Sequence, residues 1–261
     1  MTPSFECVEV GLDGAVGHLR LNRPSALNAC NVPLMDEVIA ASKWFNEQEQ
    51  AKVVIVSGSG KAFCAGFDLR TLAGSTAGQI RSAFDRGLKM AQSLSLMRPV
   101  TVAAIHGHCI GGGVVVAAAC DFRYAAADAT FQLPETELGI PLAWGSIPWL
   151  VRELGPAKAM EFVLLCKRVE AARMHAAGFL NDVTEAARLD AHVAGVASAL
   201  AARSRLVLEG TKRQVIAATN EMAHNASAFL ESHLVHSAML DEESMAHRHA
   251  YLEKVLKTAR Q

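Results

Sequence analysis

The stretch Val100-Thr101-Val102-Ala103-Ala104-Ile105-His106-Gly107-His108-Cys109-Ile110-Gly111-Gly112-Gly113-Val114-Val115-Val116-Ala117-Ala118-Ala119-Cys120 decides the fold. No side chain from Pro99 to Cys120 carries a formal charge. Its length would let it cross a bilayer, which takes roughly 20 apolar residues. However, His106, Gly107, His108 and the glycines at 111–113 interrupt its centre. Such punctuation predicts a buried strand over residues 101–105, a turn, and a buried helix over 114–119.

The same plan occurs upstream. Residues 53–57 form a continuous apolar run of strand length, followed by Gly58-Ser59-Gly60, a short segment to Gly66, and polar residues around Asp68. A helix is predicted over 77–96, ended by Arg98-Pro99. Repeated strand–turn–helix units of this kind predict an α/β domain. Further out, 5–10 and 15–21 are β-rich runs joined at Asp13-Gly14, a hairpin signal. Residues 33–46 read as an amphipathic helix with Pro33 in its first turn. Short strands are expected at 122–125 and 130–132. After Pro134 the chain reads as mostly helical, with helices over 185–202 and 205–218 and a longer helical mixture over 226–259. The expected organisation is an α/β core over 1–200 and a helical appendage over 201–261, able to pack on a neighbouring subunit.

Composition narrows the function. The 261 residues carry 25 Lys plus Arg against 26 Asp plus Glu. That balance leaves no electrostatic footprint for nucleic acid or an anionic membrane. The six cysteines form no CxxC, fit neither a zinc site nor a disulfide framework, and are expected as free thiols. Glu6, Glu9 and Asp13 occupy the N-terminal region, without a basic flank and apolar run. No signal peptide is expected, and the expected location is cytoplasmic. Gly58-Ser59-Gly60-Lys61 ends like a P-loop, but Ile55 stands where its first glycine belongs and Ala62 where it needs Ser or Thr. No GxGxxG follows Gly107, and no GxSxG occurs. His106 and His108 read as core or loop histidines rather than metal ligands, and no metal is expected.

Three segments together resemble the crotonase (enoyl-CoA hydratase/isomerase) superfamily. They are Leu21-Asn22-Arg23-Pro24-Ser25-Ala26-Leu27-Asn28-Ala29, Lys61-Ala62-Phe63-Cys64-Ala65-Gly66-Phe67-Asp68-Leu69, and the run from Ala104-Ile105-His106-Gly107 through Gly111-Gly112-Gly113 to Cys120-Asp121. Pro134-Glu135 and Leu138-Gly139-Ile140-Pro141 follow in order. The resemblance covers about residues 5–215. It implies a ClpP/crotonase-like α/β spiral of ββα units with a C-terminal helical trimerisation region. It implies an acyl-CoA substrate, with coenzyme A as part of the thioester and no permanently bound cofactor, in a homotrimer or dimer of trimers. Ala65 and Gly112 match the two backbone donors of an oxyanion hole. Glu135 matches the proton-transferring glutamate. Ala26, Leu27 and the backbone around Ala65 to Leu69, with Ala65, Gly66, Asp68 and Leu69 named in it, match the coenzyme A contact, and Gly111, Gly112, Pro134 and Glu135 complete the substrate-binding set. Arg23 is a candidate cation for the phosphates, as is Lys212 where its helix docks over a site, that of another subunit included, and Trp144, with Trp149 nearby, is a candidate acyl-pocket wall.

The chemistry supports those roles. Removing a proton beside a thioester carbonyl places negative charge on its oxygen, and one fixed N–H donor there is typically worth ~3 kcal/mol. Glu135 lies among Phe131, Leu133 and Leu138, surroundings that raise a carboxyl pKa toward neutrality; Glu137 is the competing carboxylate. Hydratases of the family carry a second glutamate three residues after the oxyanion-hole glycine, where this chain has Val115. Ala143 stands near the position of the later acid of some isomerases. One carboxylate suffices to move a proton from C2 to C4, so double-bond isomerisation is expected over hydration. An enoyl-CoA hydratase, a decarboxylase or lyase using the same enolate, and a non-catalytic acyl-CoA-binding protein are the alternatives.

Overall fold

In a computed structural model, which describes residues 2–71, 75–222 and 231–258, the chain opens with β1 (Val8–Asp13) and β2 (Val16–Leu21), an antiparallel hairpin, followed by α1 (Val32–Glu47). Then come β3 (Val53–Gly58), β4 (Ala62–Cys64), α2 (Ala77–Ser95), β5 (Val100–Ile105), β6 (His108–Ile110), α3 (Gly112–Ala118), β7 (Phe122–Ala126) and β8 (Thr130–Gln132). The rest is α4 (Ile147–Leu154), α5 (Pro156–Leu164), β9 (Val169–Glu170), α6 (Ala171–Ala176), β10 (Asp182–Thr184), α7 (Leu189–Ala201), α8 (Arg205–Met222), α9 (Glu231–Leu240) and α10 (Glu242–Thr258).

Two sheets arise from one repeated arrangement. Each of the pairs β3/β4, β5/β6 and β7/β8 gives its first strand to a six-stranded sheet, ordered β1-β2-β3-β5-β7-β10, and its second to a four-stranded sheet, ordered β4-β6-β8-β9. From β2 to β10 the larger sheet is parallel. Parallel strands covered on both faces read as unbroken apolar runs rather than alternations, which is why all of β5 is buried. All seven residues of α3 are buried too, so the uncharged stretch is core. Among the described residues no helix is long and apolar enough to cross a membrane.

Local chemistry sets the helix starts. Asn31 accepts the Leu34 N–H at 3.0 Å to cap α1, with Pro33 in the first turn. Thr76 and Gln79 form a capping box at α2. Toward the C-terminus, α7 packs on β2, β3, β5 and β7, α9 packs on α2, and α10 packs on α9. Val235 of α9 is fully buried, so this part of the tail covers its own core. The sequence-based expectation of a mostly helical chain after Pro134 misses β9 and β10. These have two and three residues, too few to show a period of two. The expected 226–259 helical region appears as α9 and α10; its residues 226–230 and 259 lie outside the described residues.

Candidate active site

The loop after β4 passes through a cross-link that the sequence conceals. Asn28, fully buried, donates from Nδ2 to Ser59 O and Ala62 O, both at 2.8 Å, and accepts the Arg23 N–H at 2.9 Å. It thereby ties the 23–28 loop to the β3–β4 turn. Cys30 then bridges the extended strip: its N–H donates to Gly66 O at 2.7 Å, and its carbonyl accepts the Asp68 N–H at 3.0 Å. The Ala65 N–H donates to Leu27 O at 2.9 Å. This corrects the expectation that Ala65 supplies an oxyanion donor, because its hydrogen is already engaged within the protein. Successive N–H groups of an extended segment face opposite sides. With the Asp68 N–H turned toward Cys30, the Phe67 N–H faces the other way, and it has no acceptor among the described residues.

Gly66 brings this strip against the glycine turn. At φ +89° it takes a backbone conformation that side-chained residues rarely adopt, and a Cβ there would lie 2.7 Å from Ile110 O and 3.2 Å from Gly112 N. Gly111, at φ +52°, anchors its N–H on Gln132 O at 2.8 Å, and a Cβ on it would lie 2.8 Å from Glu135 Oε1. The next N–H, that of Gly112, opens the first turn of α3 and has no acceptor among the described residues.

Glu135 follows β8 by way of Leu133 and Pro134 and closes the other side of a cavity of about 70 Å³. The residue is 8% exposed, and its buried Oε2 has no hydrogen-bond partner among the described residues. Burial, only partly offset by a hydrogen bond from its own backbone N–H, pushes its pKa up to about 7. Among the described residues lining the cavity it is the only carboxylate, and Val115 and Ala143 present apolar surface there. Glu137 is exposed and does not line the cavity. Ala65, Gly66, Leu69, Gly111, Gly112, Pro134 and Trp144 also line it, so the structure brings these sequence-derived residues together.

Other expectations fare differently. Arg23, Ala26, Leu27 and Asp68 are not in the cavity wall. Arg23 is bonded to Ala29 O and pairs with Asp68 at 3.1 Å. The Arg70 guanidinium on Asp68 at 2.8 Å holds that carboxyl below its usual range, with Arg23 adding to the effect. Lys212 is held by Asp121 at 2.7 Å and Pro99 O at 3.0 Å and does not line this chain's cavity. Trp149 is buried elsewhere, beside α8. His106 bonds Gly60 O in the turn before β6, and His108 on β6 bonds the Thr130 hydroxyl, both as structural residues.

Sequence reasoning does not single out Phe67, Phe84 or Tyr251 of α10 as site residues, yet all three line the cavity. The Tyr251 hydroxyl is pushed above its usual pKa by burial, then by the Glu137 and Glu135 charges, so it stays a neutral donor at physiological pH. Phe84 lies on the apolar stripe of α2, which periodicity alone reads as core. Tyr251 has no signal, because nothing local says that α10 folds back over the cavity.

The sequence model of the enoyl-CoA hydratase/isomerase family matches residues 11–258, nearly the whole chain. This protein belongs to the enoyl-CoA hydratase/isomerase family. The family enzyme is 34% identical over 223 residues, 80% of each chain, to the peroxisomal Delta(3,5)-Delta(2,4)-dienoyl-CoA isomerase of Arabidopsis thaliana. It is 32% identical over 252 residues, 96% of each chain, to a probable enoyl-CoA hydratase of Mycobacterium bovis. Among solved structures, a probable enoyl-CoA hydratase from Mycobacterium thermoresistibile superposes with TM-score 0.82 at 27% identity, covering 92% of this chain and 98% of the other. The crotonase fold expected from sequence is therefore the observed one. Relatives of both the hydratase and the isomerase kind surround this enzyme.

Proposed function

We propose that the protein moves the double bond of a 3-enoyl-CoA to give the 2-enoyl-CoA, with Glu135 as its single proton carrier. One observation carries this reading: Glu135 is the only carboxylate among the described cavity walls, opposite apolar Val115 and Ala143. The substrate carbonyl oxygen sits between the N–H groups of Phe67 and Gly112. Glu135 takes the proton from C2, and that C–H electron pair flows toward the carbonyl to make a dienolate. The two N–H donors stabilise the oxygen charge as it develops. The carboxylic acid now formed is the protonation state that its burial favours. It delivers the proton to C4, the C3=C4 bond becomes C2=C3, and Glu135 returns to its starting state. A pKa near 7 suits both halves of this shuttle at neutral pH. Coenzyme A takes part as the substrate's own thioester, and the scheme calls on no other group. The exposed Leu206, Val207 and Val215 along α8 support assembly as a homotrimer or a pair of trimers.

The test is turnover of a 3-enoyl-CoA in deuterated water, compared with hydration of crotonyl-CoA. Isomerisation abolished by Glu135→Gln is the expected result. Rapid hydration of crotonyl-CoA with the 3-enoyl thioester left untouched sinks the proposal. A second reading, hydration, is favoured by one observation: Tyr251 places a phenol in the same cavity, where it could hold a water for Glu135.

A further inference from the structure

Trp144 is an unusual occupant of its position. It is buried, and its φ of +66° lies where non-glycine residues rarely sit. Gly145 follows at φ +71°. The indole crosses the cavity between two helices, at places where each offers a glycine. A Cβ on Gly112 of α3 would lie 2.3 Å from Trp144 Cζ3, and one on Gly87 of α2 would lie 2.1 Å from Nε1. Neither helix could carry a side chain at these points with the indole in place.

The ring is also fixed from several directions. Phe67 and Phe84 meet it edge-on, with centroids at 6.4 and 6.3 Å. Beside it, the Gly145 N–H donates to Glu231 Oε2 of α9 at 2.6 Å, and the Ser146 hydroxyl donates to Ala143 O at 2.9 Å. A side chain so held is a wall. What remains is a cavity of about 70 Å³. A cavity this small, bounded by a fixed indole, seats a short acyl group.

The geometry points to Trp144 as the residue that limits the acyl group, and to short acyl chains as the substrate class of this site. This rests on the reading of the cavity as the acyl-CoA site and goes beyond it in naming which thioesters fit. Removing the indole joins the cavity to the space between Gly87 and Gly112, where a longer chain can run.

Calorimetric titration of the full chain with butyryl-, hexanoyl- and decanoyl-CoA reads the limit with no turnover. The expected wild-type result is butyryl-CoA bound at least about tenfold more tightly than decanoyl-CoA, the scale on which a pocket discriminates by methylenes. Trp144→Leu is expected to bring that ratio to within about threefold by improving decanoyl-CoA. Trp144→Phe, a smaller change that keeps an aromatic wall, moves it part of the way. Equal wild-type binding of butyryl- and decanoyl-CoA overturns the inference, and so does an unchanged ratio in whichever variant folds. If no acyl-CoA binds at all, the acyl-CoA reading itself falls and takes this inference with it. If all bind without regard to chain length, only this inference falls.

Discussion

Replacing Glu135 by Gln should stabilise the protein in alkaline solution while destroying its activity. The buried carboxyl ionises near pH 7, against 4.5 for an unperturbed glutamate. The folded state thus holds this proton more tightly than the unfolded state does. Below pH 4.5 the group is protonated in both states and imposes no electrostatic cost. As pH rises from 4.5 to 7, the unfolded chain ionises freely while the folded chain resists, and folding becomes progressively less favourable. Above pH 7 the full cost is present, about 3 kcal/mol for this displacement. The amide introduced by Glu135→Gln is close to isosteric with the carboxyl and uncharged at every pH. The variant should therefore exceed the wild type by about 3 kcal/mol at pH 8 and by only about 1 kcal/mol at pH 5. Glu231 is also pushed up to about 7 by burial, but it is common to both proteins and cancels in the difference. Denaturant unfolding at matched protein concentration, which an oligomer requires, measures both gaps. A variant no more stable than the wild type at pH 8, or a gap equal at the two pH values, would refute the picture of a buried carboxylate whose burial outweighs its hydrogen bonding.

Because the carboxylate is the base, kcat/KM for isomerisation should rise with pH through about 7 and level off above it; a rate flat from pH 5.5 to 8.5 would contradict the assignment. Val115→Glu, which places a second carboxyl on the cavity wall, should raise crotonyl-CoA hydration above the wild-type level, read as loss of enoyl absorbance. Asn28→Ala should cost about 2–4 kcal/mol in denaturant titration, because the carbonyls of Ser59 and Ala62 and the N–H of Arg23 lose their buried partner. Glu231→Ala, which releases the Gly145 N–H, should reduce kcat/KM by about tenfold, the loss expected when a group shaping a site shifts slightly; steady-state kinetics measures it.

The amino-acid sequence by itself determined the class of the fold and the company of the site. The uncharged run around the glycine turn, with its echo at 53–66, specified strand, turn and helix, because burial on both faces tolerates no charge. Glu135 was legible as a candidate proton carrier through its match to the family's glutamate, and its apolar neighbours gave the reason for a raised pKa. Val115, apolar where a hydratase carries its other acid, already argued against a second carboxylate. What the tertiary structure decided was the allotment of groups that look alike in one dimension. Ala65 and Phe67 each carry a backbone N–H within the same short strip. The Leu27 carbonyl claims the first and the Cys30 bridge turns the second outward, and both partners lie far back along the chain, before α1 and β3. Arg23 and Lys212 were both candidate cations, and only the fold shows Asp68 and Asp121 paired with them. Tyr251 reaches the cavity only because α10 folds back. Trp144 forms a wall only because Gly87 and Gly112, on two different helices, leave room for it. Hydrogen bonds and close packing are settled between residues distant in sequence, and local pattern carries no record of those partners.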